Sequence, residues 1–317
     1  MNRTEKMEAK LEQRGISRRQ FLKYCGVIAG AIGLGPAFGP KVYEALAAGP
    51  RPPVIWLHMA ECTGCTEAVL RTSEPSFEQV ILDTISLEYH ETLMATAGED
   101  ATAAQTAAAD MYQGNFFCVV EGAIPTADDG IYGMVGGKTM LSIAQDVCTK
   151  AKAIIALGNC ASYGGLPAAW PNPTGAQGVE TALGSLIANI PVVNLPGCPP
   201  NPINFVGTLA NYLLMGSLPA LDADGRPQFA YGQTVHSLCP YRERESRCLE
   251  DDGCKGKQCH NNCPSIKFND STSFPMQAGH PCIGCSEPDF WDRFTPFYVE
   301  QEGSGESDDH STGYVDD

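Results

Sequence analysis

Positive charge is scarce in this 317-residue chain: 21 Lys and Arg stand against 37 Asp and Glu, a formal net charge of −16. Nucleic acid and anionic bilayer surfaces would repel such a chain, so neither is an expected partner; a charged macromolecular partner is expected to be basic. Beyond the N-terminal region there is no apolar run of about 18 residues, which argues against a membrane span of the chain's own. Nucleotide-binding signatures are missing too. Gly136-Gly137-Lys138-Thr139 mimics a phosphate loop, but the required first glycine falls at Tyr132, and the G-x-x-G-x-G at Gly30, Gly33 and Gly35 has the wrong spacing for a dinucleotide. With 43% apolar residues the chain is globular, long enough for one sizeable domain and a smaller one, or for two of moderate size.

Residues 1–48 read as a targeting segment. A basic stretch precedes Ser17-Arg18-Arg19-Gln20-Phe21-Leu22-Lys23, an apolar run follows from Val27 to Phe38, and Ala45-Leu46-Ala47 offers a small-residue cleavage site. This is the pattern of a twin-arginine signal and predicts a periplasmic protein. Residues 1–47 carry eight Lys/Arg and four Asp/Glu, so their removal takes the charge from −16 to about −20. Residues 299–317 hold seven acids and no Lys or Arg and are expected to form an acidic, disordered tail.

Cysteine is abundant. Of fourteen, Cys25 leaves with the signal, and an odd thirteen cannot all pair as disulfides. The spacings Cys62-x2-Cys65, His236-x2-Cys239, Cys248-x5-Cys254, Cys259-x3-Cys263 and Cys282-x2-Cys285 place thiolates in close pairs on short loops. Such pairs suit one metal centre, whereas loop cysteines two residues apart make strained disulfides. Zinc would need several four-ligand sites in one chain, so iron–sulfur clusters fit the count better. The twin-arginine route carries folded proteins, which allows clusters to be inserted in the reducing cytoplasm.

Apolar, strand-like runs alternate with helix-compatible stretches, the pattern of a doubly wound parallel sheet. The strand-like runs are Val54-Ile55-Trp56-Leu57-His58, residues 115–121, Ala153-Ile154-Ile155-Ala156-Leu157 and Pro191-Val192-Val193-Asn194-Leu195; residues 76–93, 140–150 and 180–189 read as helix, with a last helix over 205–215. Cys62 and Cys65 follow the first run, Cys160 follows Gly158-Asn159, and Cys198 follows Pro196-Gly197. Loops at the carboxyl ends of parallel strands line one crevice, so these four cysteines converge and suit a four-iron cluster. Beyond Gly225 the chain is rich in Cys, Pro, Asn and Gly with little periodicity, a stretch that needs metal to fold. The expected domains are therefore residues 49–225 and a cluster-binding domain at 226–298.

Five strings, in order, carry a resemblance: Glu61-Cys62-Thr63-Gly64-Cys65-Thr66-Glu67, Glu121-Gly122-Ala123-Ile124-Pro125, Gly158-Asn159-Cys160-Ala161-Ser162-Tyr163-Gly164-Gly165, Pro196-Gly197-Cys198-Pro199-Pro200-Asn201-Pro202, and Ala278-Gly279-His280-Pro281-Cys282-Ile283-Gly284-Cys285-Ser286-Glu287-Pro288. With these the chain resembles the small subunit of periplasmic nickel–iron uptake hydrogenases. The resemblance implies a flavodoxin-like domain followed by a smaller, irregular cluster domain. It implies a proximal 4Fe–4S cluster on Cys62, Cys65, Cys160 and Cys198. It further implies a medial 3Fe–4S cluster on Cys263, Cys282 and Cys285, and a distal 4Fe–4S cluster on His236, Cys239, Cys248 and Cys254. Pro275 stands where relatives with a fourth medial ligand have cysteine, and Gly64 and Gly165 stand where oxygen-tolerant relatives carry extra cysteines. The segment between Cys239 and Cys248, eight residues long and charged at Arg242-Glu243-Arg244-Glu245, is shorter than expected for the family.

The implied reaction is the reversible oxidation of dihydrogen to two protons and two electrons, of the cytochrome-c3 hydrogenase type. It takes place at a nickel–iron centre in a separate large subunit, the heterodimeric partner, so no catalytic residue is expected in this chain. Electrons would pass through the clusters to an acceptor such as a basic multihaem c-type cytochrome. The rival readings are a stand-alone iron–sulfur carrier and the related small subunit of respiratory complex I; the block from His236 to Cys285 counts against the latter. Cys118 and Cys148 read as inert core residues. Cys259 reads as a spare thiol, although its spacing permits it to replace an assigned ligand. His58, His90 and His260 lack metal-ligand spacing, and His280 is expected to orient the medial loop. Glu61, Glu67 and Glu121 read as carboxylates flanking the proximal site, hydrogen-bonded at the subunit interface or moving protons.

Overall fold

The computed structural model describes residues 17–48, 51–72, 85–242 and 247–299. The basic start of the N-terminal segment, the tail from residue 300 and residues 76–84 of the expected 76–93 helix lie outside the described residues.

Five strands form the central sheet: β1 (Pro53–His58), β2 (Ser86–His90), β3 (Phe117–Glu121), β4 (Ala153–Leu157) and β5 (Val192–Leu195), in the order β2-β1-β3-β4-β5. All four pairings are parallel. Every residue of β3 and β4 is buried, as expected where helices cover both faces of a parallel sheet. Alternate side chains divide cleanly between two cores. Val54, Trp56, Phe117, Val119, Ile155 and Leu157 face one side, and Ile55, Leu57, Cys118, Val120, Ile154 and Ala156 face the other. The strand order is that of the flavodoxin-like doubly wound fold, and it reverses beside β1 and β3.

Three helices matter to the cores. α4 (Gly98–Met111) and α5 (Met140–Cys148) cover the second face, and Thr139 caps α5 by accepting from the Ser142 N–H. α8 (Pro202–Met215) covers the first, its start capped by the Asn201 side chain. Residues 180–189 form α7 (Val179–Leu183) and a 3-10 turn at Gly184–Ile187, broken where Gly184 adopts φ +47°.

One expectation is overturned: residues 86–90 are strand β2, not helix. β2 lies at the sheet edge and pairs with β1 alone. Its half-exposed Ser86 and Glu88 interrupt the apolar pattern, so Leu87 and Tyr89 at period two are masked by polar neighbours.

The stretch read as an export signal is itself folded over the described part. α1 (Arg18–Ala31) and α2 (Gly39–Ala48) pack on α8, with Phe21, Cys25, Ile28, Val42 and Tyr43 buried in the first core beside Phe205 and Leu209. Gly207 permits the approach, since a Cβ there would lie 3.0 Å from Ile32 Cγ2. No described helix is long and apolar enough to cross a membrane. Cys118 and Cys148 are buried core residues as expected, their sulfurs 3.7 Å apart between β3 and α5.

Beyond Arg226 regular structure shrinks to single turns: α9 (Gln228–Tyr231), α10 (Val235–Leu238), α11 (Cys263–Ile266) and α12 (Phe290–Phe294). Polar clamps hold this region to the sheet domain. The Asn204 and Asn262 amides exchange hydrogen bonds of 3.1 and 2.9 Å, and Tyr231 donates its hydroxyl to the Pro196 carbonyl at 2.8 Å. Arg226, only 4% exposed, binds Asp222 at 2.8 Å, Asp224 at 2.9 Å and Glu287 at 3.1 Å. Removing a buried cation strands its carboxylates, at a cost of about 3–5 kcal/mol. We therefore expect Arg226→Met to lower the unfolding free energy of the assembled protein in urea by that order, and its midpoint with it, with Arg226→Lys restoring only part because an ammonium cannot fork. An unchanged midpoint in Arg226→Met would show that the clamp adds nothing to stability.

Candidate metal centres

The first group of thiols forms at the switch of the sheet. After β1 the chain crosses to the segment after β3: the Met59 N–H donates to the Glu121 carbonyl, and Ala60 and Ala123 exchange bonds of 2.9 and 3.0 Å. Gly122 makes that crossing possible, because at φ +96° a Cβ would meet Glu61 Cβ at 2.7 Å. The following turn enters α3 (Gly64–Leu70), which carries Cys65. The buried Glu121 carboxylate anchors this turn, accepting from Cys65 N–H at 3.0 Å, Thr66 N–H at 3.1 Å, Trp56 Nε1 at 3.2 Å and the Thr66 hydroxyl. A carboxylate at the first turn also suits the helix dipole. Cys160 stands in α6 (Asn159–Tyr163) after β4, and Cys198 follows β5.

These sulfurs feel one another. Burial, then Glu121 and the thiols of Cys160, Cys198 and Cys62, push the Cys65 thiol well above its usual range. Burial and the neighbouring Cys198 raise Cys160 to about 12, and burial and Cys62 raise Cys198. A Cβ at Gly158 would lie 2.5 Å from Cys65 Sγ, one at Gly165 2.8 Å from Cys160 Sγ and one at Gly64 3.1 Å from Cys62 Sγ. Glycine therefore keeps the space beside three of the sulfurs clear. Of the flanking acids, Glu121 is the structural anchor and Glu67 is exposed beside Arg71. Glu61 accepts from the Thr63 hydroxyl and meets His58, which in turn meets His90 at 3.4 Å. Burial, then His58, lowers His90 to about 3, so this imidazole is neutral.

The cysteines assigned to the medial cluster also lie together. Burial, then Cys285 and Cys259, push the Cys263 thiol well up. Cys259 thus belongs among them: it is 1% exposed and its sulfur lies 3.1 Å from Ser286 Oγ. Its backbone is fixed by two bonds, Val235 N–H to its carbonyl at 2.7 Å and its own N–H to the Lys255 carbonyl at 3.0 Å, placements that spacing does not reveal. His280 is exposed, and its backbone N–H, bound to the Pro275 carbonyl at 2.9 Å, does the orienting expected of its imidazole.

For the distal assignment, α10 places His236 three residues before Cys239, and burial, followed by Cys239 and Cys248, raises the Cys254 thiol. A Cβ at Gly256 would lie 3.4 Å from both Cys254 Sγ and His236 N. His236, Cys248 and Glu250 bring ligand atoms within 4.8 Å of one another. Glu250 went unnoticed in the sequence because it opens the acidic run Glu250-Asp251-Asp252, which resembles any solvated face.

The three groups adjoin. Asn159 Nδ2, beside Cys160, donates to the Cys285 and Glu287 carbonyls at 3.0 and 2.9 Å. Cys282 N–H donates to Cys254 Sγ at 3.2 Å, while Lys255 N–H donates to the Cys282 carbonyl at 2.7 Å. All fourteen cysteines are free thiols.

A doubly wound domain with cysteines at its strand ends, joined to a cysteine-rich domain, defines a redox subunit. The family is set by similarity: the chain belongs to the small subunits of nickel–iron hydrogenases, which are oxidoreductases. It is 54% identical to the periplasmic [NiFe] hydrogenase small subunit 1 of Nitratidesulfovibrio vulgaris, over 93% of this chain and 96% of that one. It is 50% identical to the periplasmic [NiFe] hydrogenase small subunit of Solidesulfovibrio fructosivorans, over 92% and 96%. Residues 229–298 match the C-terminal family of NiFe/NiFeSe hydrogenase small subunits, and residues 62–212 match the NADH ubiquinone oxidoreductase 20 Kd subunit family. The reduced, active Ni–Fe–Se hydrogenase of Desulfomicrobium baculatum has a chain that superposes with a TM-score of 0.76 at 38% identity, over 80% of this chain and 100% of that one.

A thiol whose pKa is raised on folding keeps its proton while the unfolded chain loses it. Stability is therefore complete below the ordinary value of 9.0 and declines as pH rises toward about 12 for Cys160. In the metal-free protein we expect the urea midpoint to fall between about pH 8 and about pH 10. The fall should be shallower in Cys160→Ser. An equal slope in both would show that the thiol does not titrate with folding.

Proposed function

We propose that this chain conducts electrons for the reversible oxidation of dihydrogen, performed at a nickel–iron site in a large subunit with which it forms a heterodimer. The observation that carries this reading is the adjacency of the three ligand groups: Asn159, beside Cys160, bonds the Cys285 carbonyl, and Cys282 N–H bonds Cys254 Sγ. Cys62, Cys65, Cys160 and Cys198 hold a proximal 4Fe–4S cluster, Cys263, Cys282 and Cys285 a medial 3Fe–4S cluster, and His236, Cys239, Cys248 and Cys254 a distal 4Fe–4S cluster. When bound, these clusters pass single electrons between the large subunit and an external acceptor.

The residues present fit that role. Free thiols crowd together with raised pKa values, which a cationic iron core reverses, and backbone N–H groups already point at sulfur, as from Cys282 to Cys254 at 3.2 Å and Gly284 to Cys282 at 3.5 Å. Glu121 holds the Cys62–Cys65 turn through four donors, and Asn159 holds the Cys285 loop. Pro275, exposed, offers no thiol to a fourth medial corner. Gly165, at φ +53° with no room beside Cys160, admits no extra cysteine without moving that ligand, which supports a standard, oxygen-sensitive proximal cluster. The domain division at residues 225 and 226 follows the loss of regular structure there.

Export by the twin-arginine route to the periplasm follows from residues 1–48 and from the periplasmic relatives. The net charge of −16 favours a basic acceptor, for which a multihaem c-type cytochrome is the best fit. Metal analysis of the purified complex is expected to find about eleven irons per small subunit, nickel in a larger partner chain, and a three-iron paramagnetic signal on oxidation. Absent nickel would favour a stand-alone carrier, and an absent three-iron signal would remove the medial assignment. Raising ionic strength from about 0.01 to about 0.15 M should slow reduction of a basic cytochrome severalfold, because screening shortens the steering field. A salt-independent rate would argue against electrostatic docking.

A further inference from the structure

The folded N-terminal segment covers a surface of the sheet domain, and it does so with part of its own address. Phe21, Cys25, Ile28, Val42 and Tyr43 are each at most 3% exposed and join the packed cluster on the first face of the sheet. The Phe21 and Tyr43 rings meet edge-on, with centroids 5.4 Å apart. On the domain side the surface is α8 with Phe229 of α9: a Cβ at Gly207 would lie 3.0 Å from Ile32 Cγ2 and 3.4 Å from the Phe229 ring. The segment reaches this surface as a hairpin. Gly33 and Gly35, at φ +79° and +77°, turn the chain between α1 and α2, and a Cβ at Gly39 would lie 3.0 Å from the Gly26 nitrogen. The glycines that make this run a poor spanning helix therefore let it fold back on itself.

Docking divides the address. Within Ser17-Arg18-Arg19-Gln20-Phe21-Leu22-Lys23, Arg19 and Lys23 are exposed, whereas Phe21 is 2% exposed and Leu22 packs against the first core. A twin-arginine signal is an address read by a receptor, and a receptor cannot read a side chain packed inside the domain that carries it. The cleavage site is closed as well. Ala45-Leu46-Ala47 lies within α2, in helical backbone, whereas proteolytic cleavage concentrates in exposed, unstructured segments.

We propose that the α8 face with Phe229 is a docking surface for the chain's own residues 18–48, and that the docked hairpin is a latch which holds the folded precursor back from export and from cleavage. The proposal rests on reading residues 1–48 as an export signal. Only the released segment presents Phe21 and Leu22 together with the arginines, so the rates of export and cleavage scale with the released fraction. A hold at this stage gives the thiol groups time to take up iron before the chain leaves the reducing compartment. Crowding the surface with a larger side chain at Gly207 should raise the released fraction about five- to thirtyfold, the ordinary penalty of overpacking.

The test compares wild type, Gly207→Leu and Ile32→Ala as full-length precursors in the two-subunit complex, accumulated in cells that lack the twin-arginine channel. Limited proteolysis within residues 17–48 is followed by mass spectrometry. Processing of the same three chains is followed by pulse labelling in cells with the channel intact. The wild-type segment is expected to be cut slowly, and the Gly207→Leu segment about five- to thirtyfold faster, with processing accelerated in the same direction. Ile32→Ala should also be cut faster, and because it lies outside the mature chain it reads the latch even if Gly207→Leu fails to fold. Equal proteolysis of wild type and Ile32→Ala overturns the docking surface. Faster proteolysis in Gly207→Leu with unchanged processing overturns the latch. The underlying reading is checked apart from any variant by the mass of the mature wild-type subunit: a chain that keeps residues 17–44 overturns the export signal itself, and the latch with it.

Discussion

Thiols that cannot ionise together are the constraint on which this structure turns. Cys62, Cys65, Cys160 and Cys198 come from three strand ends to one crevice, where burial and mutual repulsion hold Cys65 and Cys160 protonated. Four thiolates there would be untenable in a low-dielectric site without a cation to offset their charge. Much of the surrounding architecture serves that convergence. Gly122 lets β1 cross to β3, Gly158 and Gly165 keep space beside sulfur, and Glu121 gathers the donors of the Cys65 turn.

The same logic explains why the second domain has so little regular structure. Its turns are held by side chains and by the sheet domain rather than by helix or strand ladders of their own. The Arg226 cluster, the Asn204–Asn262 amide pair and the two bonds from Asn159 seat the Cys285 loop against the Cys198 loop. That seating sets which cysteine groups adjoin. At the other junction Lys255 N–H donates to the Cys282 carbonyl and Cys282 N–H donates to Cys254 Sγ. The clamps therefore fix how the cysteine groups lie side by side.

The N-terminal segment shows how one pattern can satisfy two readings. Arg18-Arg19 and the apolar run fit an export signal, yet Phe21, Cys25, Ile28, Val42 and Tyr43 also fill a face of α8. An apolar run long enough to be recognised as a signal is also long enough to pack, and Gly207 leaves a groove for it. The two are compatible, because a segment held by side-chain packing alone leaves no covalent or sheet register behind when it is removed.

Sequence by itself determined four of the five strands and the convergence of the strand-end cysteines. Buried parallel strands need near-continuous apolar runs, and β1, β3, β4 and β5 have them. Cysteine pairs at short spacing announce metal because few other uses tolerate them, and the strand-end position of Cys160 and Cys198 foretold their meeting with Cys62 and Cys65. Only the tertiary structure decided what depends on distant neighbours. The edge strand β2 was hidden because half of its surface is polar, and Glu250 because an acid beside a metal group looks like any surface acid until its distance to His236 is known. Cys259 is the sharpest case. Its spacing from Cys263 allowed a ligand or a spare thiol, and only the fold places it, buried, against Ser286, twenty-seven residues away in sequence. Hydrogen-bond partners are chosen by how the loops fold back on one another, which no local pattern of residues encodes.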